Sequence, residues 1–430
     1  MASKPATDAG THIFTGATKP MRIGGIPWLF PEPEHALHQW RNRWHRELRR
    51  LEALQAECRS LAAAARGADA EHLTLRAVGY GEHKSQILEV LKPLGLGEAA
   101  TAATFEAAQG SDDWVHYDAN ILRDWCWGAE ENSGSLSQVL LATGTRPQRV
   151  LVIGSGAGRL AFDLHRTLVP EQTIALEHNP LLALLSHRLT QGERLPWTEF
   201  VTNPHPGTPP AINRELKAPA NSQPLAPGFT QILADIRFPP FRPGTFDLVL
   251  TSWFVDICPT PLSWLAELIH DLLTPAGQWL YHGSTAFGQN PSGGCHSIDA
   301  FLELTARAGF DCSYDQAIEL PYLASPAHRQ QRLESVSTFA FTRDSKPSAK
   351  RLAPYKHAQE PWIKQRNAQV PLTPAIAQHR DAAAMRAFLL SLIDGKRSRR
   401  EMAALIAERG IMTAGDAEAF LIDLIESTES

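Results

Sequence analysis

This chain has no stretch that reads as a membrane span, a secretion signal or a disulfide framework. No uninterrupted apolar run approaches the ~18 residues needed to cross a bilayer. No basic segment leads into an apolar one near Met1, so no secretory signal is expected. Cysteine is scarce: Cys58, Cys126, Cys258, Cys295 and Cys312 are the only five in 430 residues. The count is odd and no C-x-x-C pair occurs, which argues against a disulfide scaffold or a structural zinc site and fits a reducing, cytoplasmic compartment. Cys295-His296, with His282 nearby, lacks a second cluster at ligand spacing, so no metal site is expected. A net charge of −5 does not suit a protein that wraps nucleic acid.

What is present is ordinary globular material, 43% apolar and 20% charged, long enough for two or three domains. Residues 1–33 read as a flexible segment, with Met1 to Lys19 small and polar. Residues 34–147 read as helical. Leu37, Trp40, Trp44, Leu48, Leu51 and Leu54 recur at three- and four-residue spacing as a packing face, and Leu73 to Leu94 reads as a further helix, broken at Pro93 and Gly95. From 148 to 343, short apolar strands alternate with helices. Arg149–Ile153, Gln172–Leu176, Phe246–Ser252 and Gln278–His282 are the strands; Leu160–Leu168, Leu181–Leu189 and Leu262–Leu273 are the helices. Such alternation predicts an α/β fold with a doubly wound, mostly parallel sheet. A Pro- and Asn-rich excursion, 195–230, reads as a long functional loop. A linker, 344–375, leads to a small helical or winged-helix-like module, 376–430.

The most informative segment is Val150 to Leu160. A buried strand runs into Gly154-Ser155-Gly156-Ala157-Gly158 and then opens a helix. The chain must turn sharply and let a ligand approach its backbone, which a β-carbon would prevent. A dinucleotide site wants G-x-G-x-x-G. Here the third glycine comes one place early, with Arg159 in its stead, and G-x-G-x-G is the S-adenosylmethionine form of the turn. Glu177 ends the next strand, where an acid can accept both ribose hydroxyls. Asp235-Ile236 suits an adenine amino group and ring face. The strand Phe246 to Ser252 ends facing the cofactor, while Asp247 at its start reads as structural. These four elements, in this order, point to an S-adenosylmethionine-dependent methyltransferase with a Rossmann-like class I fold.

From Tyr117 to Arg343, about half the chain, the sequence resembles the carnosine N-methyltransferase family. Arg123-Asp124-Trp125 looks like that family's segment ahead of the domain, whose Arg helps hold the cofactor, and Gly156 to Ala161 looks like its glycine loop. Leu195-Pro196-Trp197, the Asn203 loop and Phe229 to Asp235 resemble its Pro-rich excursion. Trp253-Phe254-Val255-Asp256 is similar to its Phe-Phe-Ile-Asp stretch, where the Asp contacts a substrate imidazole. Ala308-Gly309-Phe310 and Ser337 to Thr342 resemble its closing elements. The substrate side departs from the family pattern: Phe287-Gly288 stands where the family has Tyr-His, and Ile298 where a Tyr is expected.

The expected site therefore comprises Arg123, Gly154, Ser155, Gly156, Gly158, Glu177, Asp235, Ile236 and Ser252 for the cofactor. Asp256 is the expected carboxylate on the acceptor's N–H, with a helix N-cap before Pro259 as its bland alternative. His282 is a candidate base. Trp253, Phe254 and Phe287 are candidate walls for an aromatic or cationic acceptor, or else core. The acceptor is expected to be a histidine-containing small molecule or peptide methylated on nitrogen. In the tail, Leu392 to Glu401 reads as a helix, a glycine stop and a newly capped helix, with weak similarity to winged-helix modules that grip a peptide leader. Packing on the catalytic domain and homodimer formation are its plainer roles, and Lys396 to Arg400 reads as a solvated turn. Two other classes stay open: a cofactor-binding subunit without activity and a nicotinamide oxidoreductase.

Overall fold

The computed structural model describes residues 13–15, 20–96, 117–144, 146–219, 225–258, 260–287, 297–345 and 369–429. Gly288, Pro259 and the Cys295-His296 pair lie outside them, as does most of the expected linker. The chain divides into two units, Met1–Tyr355 and Lys356–Ser430.

In the first unit, a hairpin of β1 (Met21–Ile23) and β2 (Ile26–Trp28) precedes two long helices, α1 (Pro33–Ala64) and α2 (Ala68–Leu91). The short helix α3 (Asp118–Leu122) runs into a wide π-type turn, Arg123–Trp127, and then α4 (Ala129–Ala142). The alternating region follows as β3 (Arg149–Ile153), α5 (Arg159–Leu168), β4 (Gln172–Glu177) and α6 (Pro180–Thr190). Next come β5 (Leu195–Phe200), β6 (Ala211–Leu216), β7 (Phe229–Leu233), β8 (Phe246–Ser252), α7 (Leu262–Leu272) and β9 (Leu273–Gly283). Helix α8 (Ile298–Arg307) leads to a closing hairpin, β10 (Phe310–Tyr322) with β11 (Arg332–Arg343).

The main sheet has the order β1-β2-β7-β4-β3-β8-β9-β11-β10. Strands β7, β4, β3, β8 and β9 pair in parallel, while β11 runs antiparallel to β9. A parallel core ending in a reversed hairpin is the Rossmann-like sheet of class I methyltransferases. Its faces follow from the strand period of two. Val150 and Val152 pack with Val139 of α4 and with Ala161 and Leu164 of α5. Leu151 and Ile153 join the opposite core with Leu265 and Ile269 of α7 and Phe301 of α8. With both faces covered, the strands read as continuous apolar runs rather than alternating ones.

Asp247 is structural, as its place at the start of β8 suggested. Its Oδ2 accepts the backbone N–H groups of Gln148 at 3.0 Å and Arg149 at 2.9 Å, tying two adjacent strand starts together.

Two expectations are corrected. The segment 1–33 is not uniformly loose, because its hairpin joins the sheet edge, with Trp28 of β2 opposite Leu233 of β7. The excursion 195–230 is not a plain loop either, since β5 and β6 form their own antiparallel ribbon, from Leu195↔Leu216 to Phe200↔Ala211. Trp197 of that ribbon is fully buried and donates to Asp118 at 3.0 Å.

The second unit contains α9 (Pro374–Ser391), α10 (Arg399–Glu408) and α11 (Ala414–Glu429) around Leu389, Leu392, Met402, Ile406 and Leu421. Ser398 caps α10 in a reciprocal box with Glu401, as the sequence predicts. Among the described residues this unit contains helices and no strand.

No helix among the described residues is long and apolar enough to cross a membrane.

Candidate functional site

The chain leaves β3 for β4 on one side, and the next strand on the other side of β3 is β8. At such a switch point the crevice outside the strands' C-terminal ends is left open, which is where ligands bind in sheets of this kind. The glycine loop after β3, Glu177 at the end of β4, Asp235 beyond β7 and Ser252 at the end of β8 all lie at that edge.

All three loop glycines have positive φ: Gly154 at 66°, Gly156 at 59° and Gly158 at 88°. Their surroundings differ in kind. A Cβ on Gly154 would lie 2.5 Å from Phe254 Cδ2, and one on Gly158 would collide with Ser186 Oγ. A Cβ on Gly156 would meet nothing within 4 Å. Gly154 and Gly158 are thus close-packing positions, and Gly156 faces open space. Ser155 belongs to the loop's frame: its N–H donates to Leu176 O at 3.0 Å, and its hydroxyl accepts from Gln231 at 3.3 Å.

Glu177 reaches back into this loop. Its Oε2 accepts the Gly156 N–H at 2.7 Å, and Oε1 accepts those of His178 at 2.8 Å and Asn179 at 2.9 Å. Burial pushes its pKa up to about 6, although the three amides favour the ionised form. Beyond β7, Asp235 is held by Arg237, whose Nη2 donates to Oδ2 at 2.6 Å and whose backbone N–H donates to Oδ1 at 2.9 Å. Ile236 is 6% exposed and packs into the core. The His178 ring packs against Phe30 and Trp40, at centroid distances of 5.4 and 5.2 Å. The N-terminal hairpin region and α1 therefore stand beside the two acids, and burial lowers the His178 pKa.

The Arg-Asp-Trp segment is locked to the loop from the other side. The Trp125 indole N–H donates to Ala157 O at 2.8 Å. Arg159 Nη1 donates to Asp124 O at 2.6 Å, and its Nε to Asp163 at 2.6 Å. Arg123 Nε donates to Asp124 Oδ1 and Nη1 to Glu131 Oε1, each at 2.6 Å. Burial alone would lower the Arg123 pKa, but these two carboxylates raise it above its ordinary value. A guanidinium has five N–H donors, so those on Nη2 stay available.

At the end of β8, Ser252 is half-buried and lies opposite His282 in register. Trp253 follows with φ of 50°, uncommon for a bulky residue, and its N–H donates to His282 O at 2.9 Å. Phe254 lies on the glycine loop. Asp256 sits in the next turn, well before α7, whose N-cap is Pro261, so Asp256 does not cap that helix. Burial raises its pKa, opposed by its own N–H and that of Ile257, with a further increase from the charge of Glu334.

Two expected residues are placed differently. His282 is fully buried, its Nδ1 2.9 Å from Thr338 Oγ1 and its Nε2 without a hydrogen-bond partner. Burial, then the Arg123 charge, lowers its pKa to about 4, which makes it a poor proton acceptor at neutral pH. Phe287 is 2% exposed and its ring packs 5.0 Å from Phe301 and 6.2 Å from Tyr281. It belongs to the core rather than to a substrate wall.

The sequence reading missed Glu131, Arg237 and Tyr322. Tyr322 ends β10, and its ring lies tilted at 38° against Trp253, 4.7 Å between centroids, with the Arg332 guanidinium 4.8 Å from its centroid. Burial raises the pKa of its hydroxyl, which also feels the charges of Arg123, Glu131, Arg332 and Asp256. Only the closing hairpin brings it there. Among the described residues no cluster of three His, Cys, Asp or Glu side chains is arranged to hold a metal.

No family model matches the chain, and no curated protein matches it. Among solved structures it is similar to an S-adenosylmethionine-dependent methyltransferase from Methanosarcina mazei, at 11% identity over 48% of this chain and 98% of that one, with a TM-score of 0.35. A second from Mesorhizobium loti, also described as S-adenosylmethionine dependent, matches at 12% identity over 49% of this chain and all of that one (100%), TM-score 0.33. A third, described for the conversion of a disulfide bond into a thioacetal group during echinomycin biosynthesis, matches at 16% identity over 54% and 93%, TM-score 0.36. The fold assignment itself rests on this chain's own sheet order.

Proposed function

We propose that this chain is an S-adenosylmethionine-dependent N-methyltransferase acting on an imidazole nitrogen of a histidine-containing small molecule or peptide. The observation that carries the reading is the open face of Gly156 beside the Glu177 carboxylate, with Trp253, Phe254 and Asp256 just past the end of β8. A nucleoside seated on Gly156 would bring its ribose to Glu177 and its base toward Asp235, and Arg123 Nη2 would take the cofactor's carboxylate. The residues fit the cofactor in charge as well. Arg123 with Asp124 and Glu131 sums to one negative charge, which suits a ligand carrying a sulfonium and an ammonium against one carboxylate.

When bound, the cofactor supplies an electrophilic methyl group. The chain's own residues then have three tasks. Trp253 and Tyr322 hold an aromatic acceptor edge-on to the cofactor crevice, which is catalysis by positioning. Asp256 accepts the N–H of one ring nitrogen, so the other presents its lone pair. As that nitrogen forms its bond to carbon, the carbon–sulfur bond breaks and the ring becomes cationic. Asp256 can then take the N–H proton on a carboxylate oxygen and release it to water, a role its raised pKa favours.

The test is incubation with deuteromethyl-labelled S-adenosylmethionine and a panel of histidine, histidine dipeptides, histidine-containing peptides and other amines, read by mass spectrometry. Label on an imidazole nitrogen supports the reading; label on a non-histidine acceptor alone overturns its acceptor class. A thermal shift with S-adenosylhomocysteine but none with NAD is also expected, since a ligand that binds the native state raises the midpoint.

A further inference from the structure

Glu131 is buried, 4% exposed, and so far enters the site only as a charge partner of Arg123. Its two oxygens serve opposite walls of the crevice. Oε1 accepts from Arg123 Nη1 at 2.6 Å, on the cofactor side. Oε2 accepts the backbone N–H of Leu323 at 2.9 Å, on the closing hairpin. Leu323 directly follows Tyr322 and has a φ of 49°, strained for a residue with a branched side chain. The turn gains one local bond, from the Ser325 N–H to the Leu323 carbonyl at 3.1 Å, and the bond to Glu131 is the one that ties it to the rest of the crevice. The Tyr322 ring, tilted against Trp253, thus adjoins a backbone amide held by the same carboxylate that holds Arg123.

Resting on the methyltransferase reading, we infer that Glu131 is a positioning residue that couples cofactor binding to placement of the acceptor wall at Tyr322. The coupling has a sign. Each bond to a carboxylate draws on its charge, so a donor that shares it with a second is held less strongly than one it serves alone. In the empty site, Arg123 draws on Asp124 and Glu131 together. A cofactor carboxylate arriving at Arg123 would take a share of that guanidinium. Charge would return to Glu131, and its bond to the Leu323 amide would tighten. Cofactor occupancy would therefore fix Tyr322 against Trp253 before the acceptor enters.

Hydrogen exchange at the Leu323 amide reads this directly, with S-adenosylhomocysteine as the probe and its binding followed by calorimetry on the full chain. In the wild type, saturating probe is expected to slow exchange at Leu323 by about tenfold or more. In Glu131→Gln, a carboxamide has one accepting oxygen in place of two. Probe binding should weaken but stay measurable, because Arg123 keeps Asp124, and at saturation the slowing at Leu323 should disappear.

A merely structural Glu131 would raise exchange in both states equally and leave no ligand dependence to lose. Unchanged or faster exchange in the wild type with probe bound overturns the coupling, and so does slowing that persists in Glu131→Gln. If that variant does not fold, the wild-type comparison decides alone. Absence of probe binding to the wild type overturns the cofactor reading itself, which calorimetry distinguishes from bound probe without coupling.

Discussion

Phe254 lies directly against Gly154, so that a single carbon added to the glycine would come within 2.5 Å of the ring. The first residue of the glycine loop and an aromatic just past the end of β8 are thus in contact. Gly156, two residues on, has no such neighbour within 4 Å.

The two glycines should therefore fail differently. Gly154→Ala combines a positive-φ penalty with a steric clash and should cost about 2–4 kcal/mol of stability, measurable by urea unfolding. Adding Phe254→Ala should return the steric part. Gly156→Val should lose less stability but abolish S-adenosylhomocysteine binding by calorimetry. Unchanged affinity in that variant would remove Gly156 from the site.

Cofactor affinity should depend on pH through Glu177. Its pKa is raised to about 6, and donation from ribose hydroxyls requires the ionised form. Affinity should hold steady above pH 6 and fall below it, approaching tenfold per unit. Glu177→Gln should bind weakly with a flat profile, and calorimetry between pH 5 and 8 separates the two curves.

Asp256→Asn should spare S-adenosylhomocysteine binding and lower turnover of an imidazole acceptor by about 10²–10⁴-fold. Full activity in this variant would assign Asp256 to the turn that it occupies.

Acid stability should be limited by buried imidazoles. The folded pKa of His282 is about 4, below its ordinary 6.5, so its contribution is complete above pH 6.5 and is lost as pH falls toward 4. The loss is about 3 kcal/mol. Glu177 acts in the opposite sense, its raised pKa relieving about 2 kcal/mol of strain as pH falls through 6. His178, also lowered by burial, adds to the loss, so acid should destabilise the protein overall. His282→Gln should show a smaller fall in melting temperature between pH 7 and 4.5 than the wild type.

Sequence alone located the parts of the fold where one local rule is strong. Strand β3, the glycine loop and β8 were readable because a continuous apolar run ends in residues that only a sharp turn requires. Strands β1 and β2 were not, because three residues carry too little periodicity to register, and their sheet contact depends on the distant Leu233. The same limit applies to the site. Glu177 follows from its place at a strand end, whereas Glu131 and Tyr322 meet Arg123 only through the packing of α4 and the closing hairpin. Phe287 illustrates the converse: an aromatic near a site and an aromatic in the core look alike until neighbouring rings are known.

The indole of Trp125 and the guanidinium of Arg159 fasten the residues just before α4 to the loop just after β3. The point in the chain where strands begin to alternate with helices is therefore no seam in the folded molecule. Cutting there would leave every strand of the parallel core present but remove the indole that fixes the Ala157 carbonyl and the backbone carbonyl that orients Arg159. Grafting this sheet onto another protein, or splitting the gene for complementation, would have to carry the stretch from Asp118 onward. A shorter piece could keep its fold and still lose the shape of its cradle.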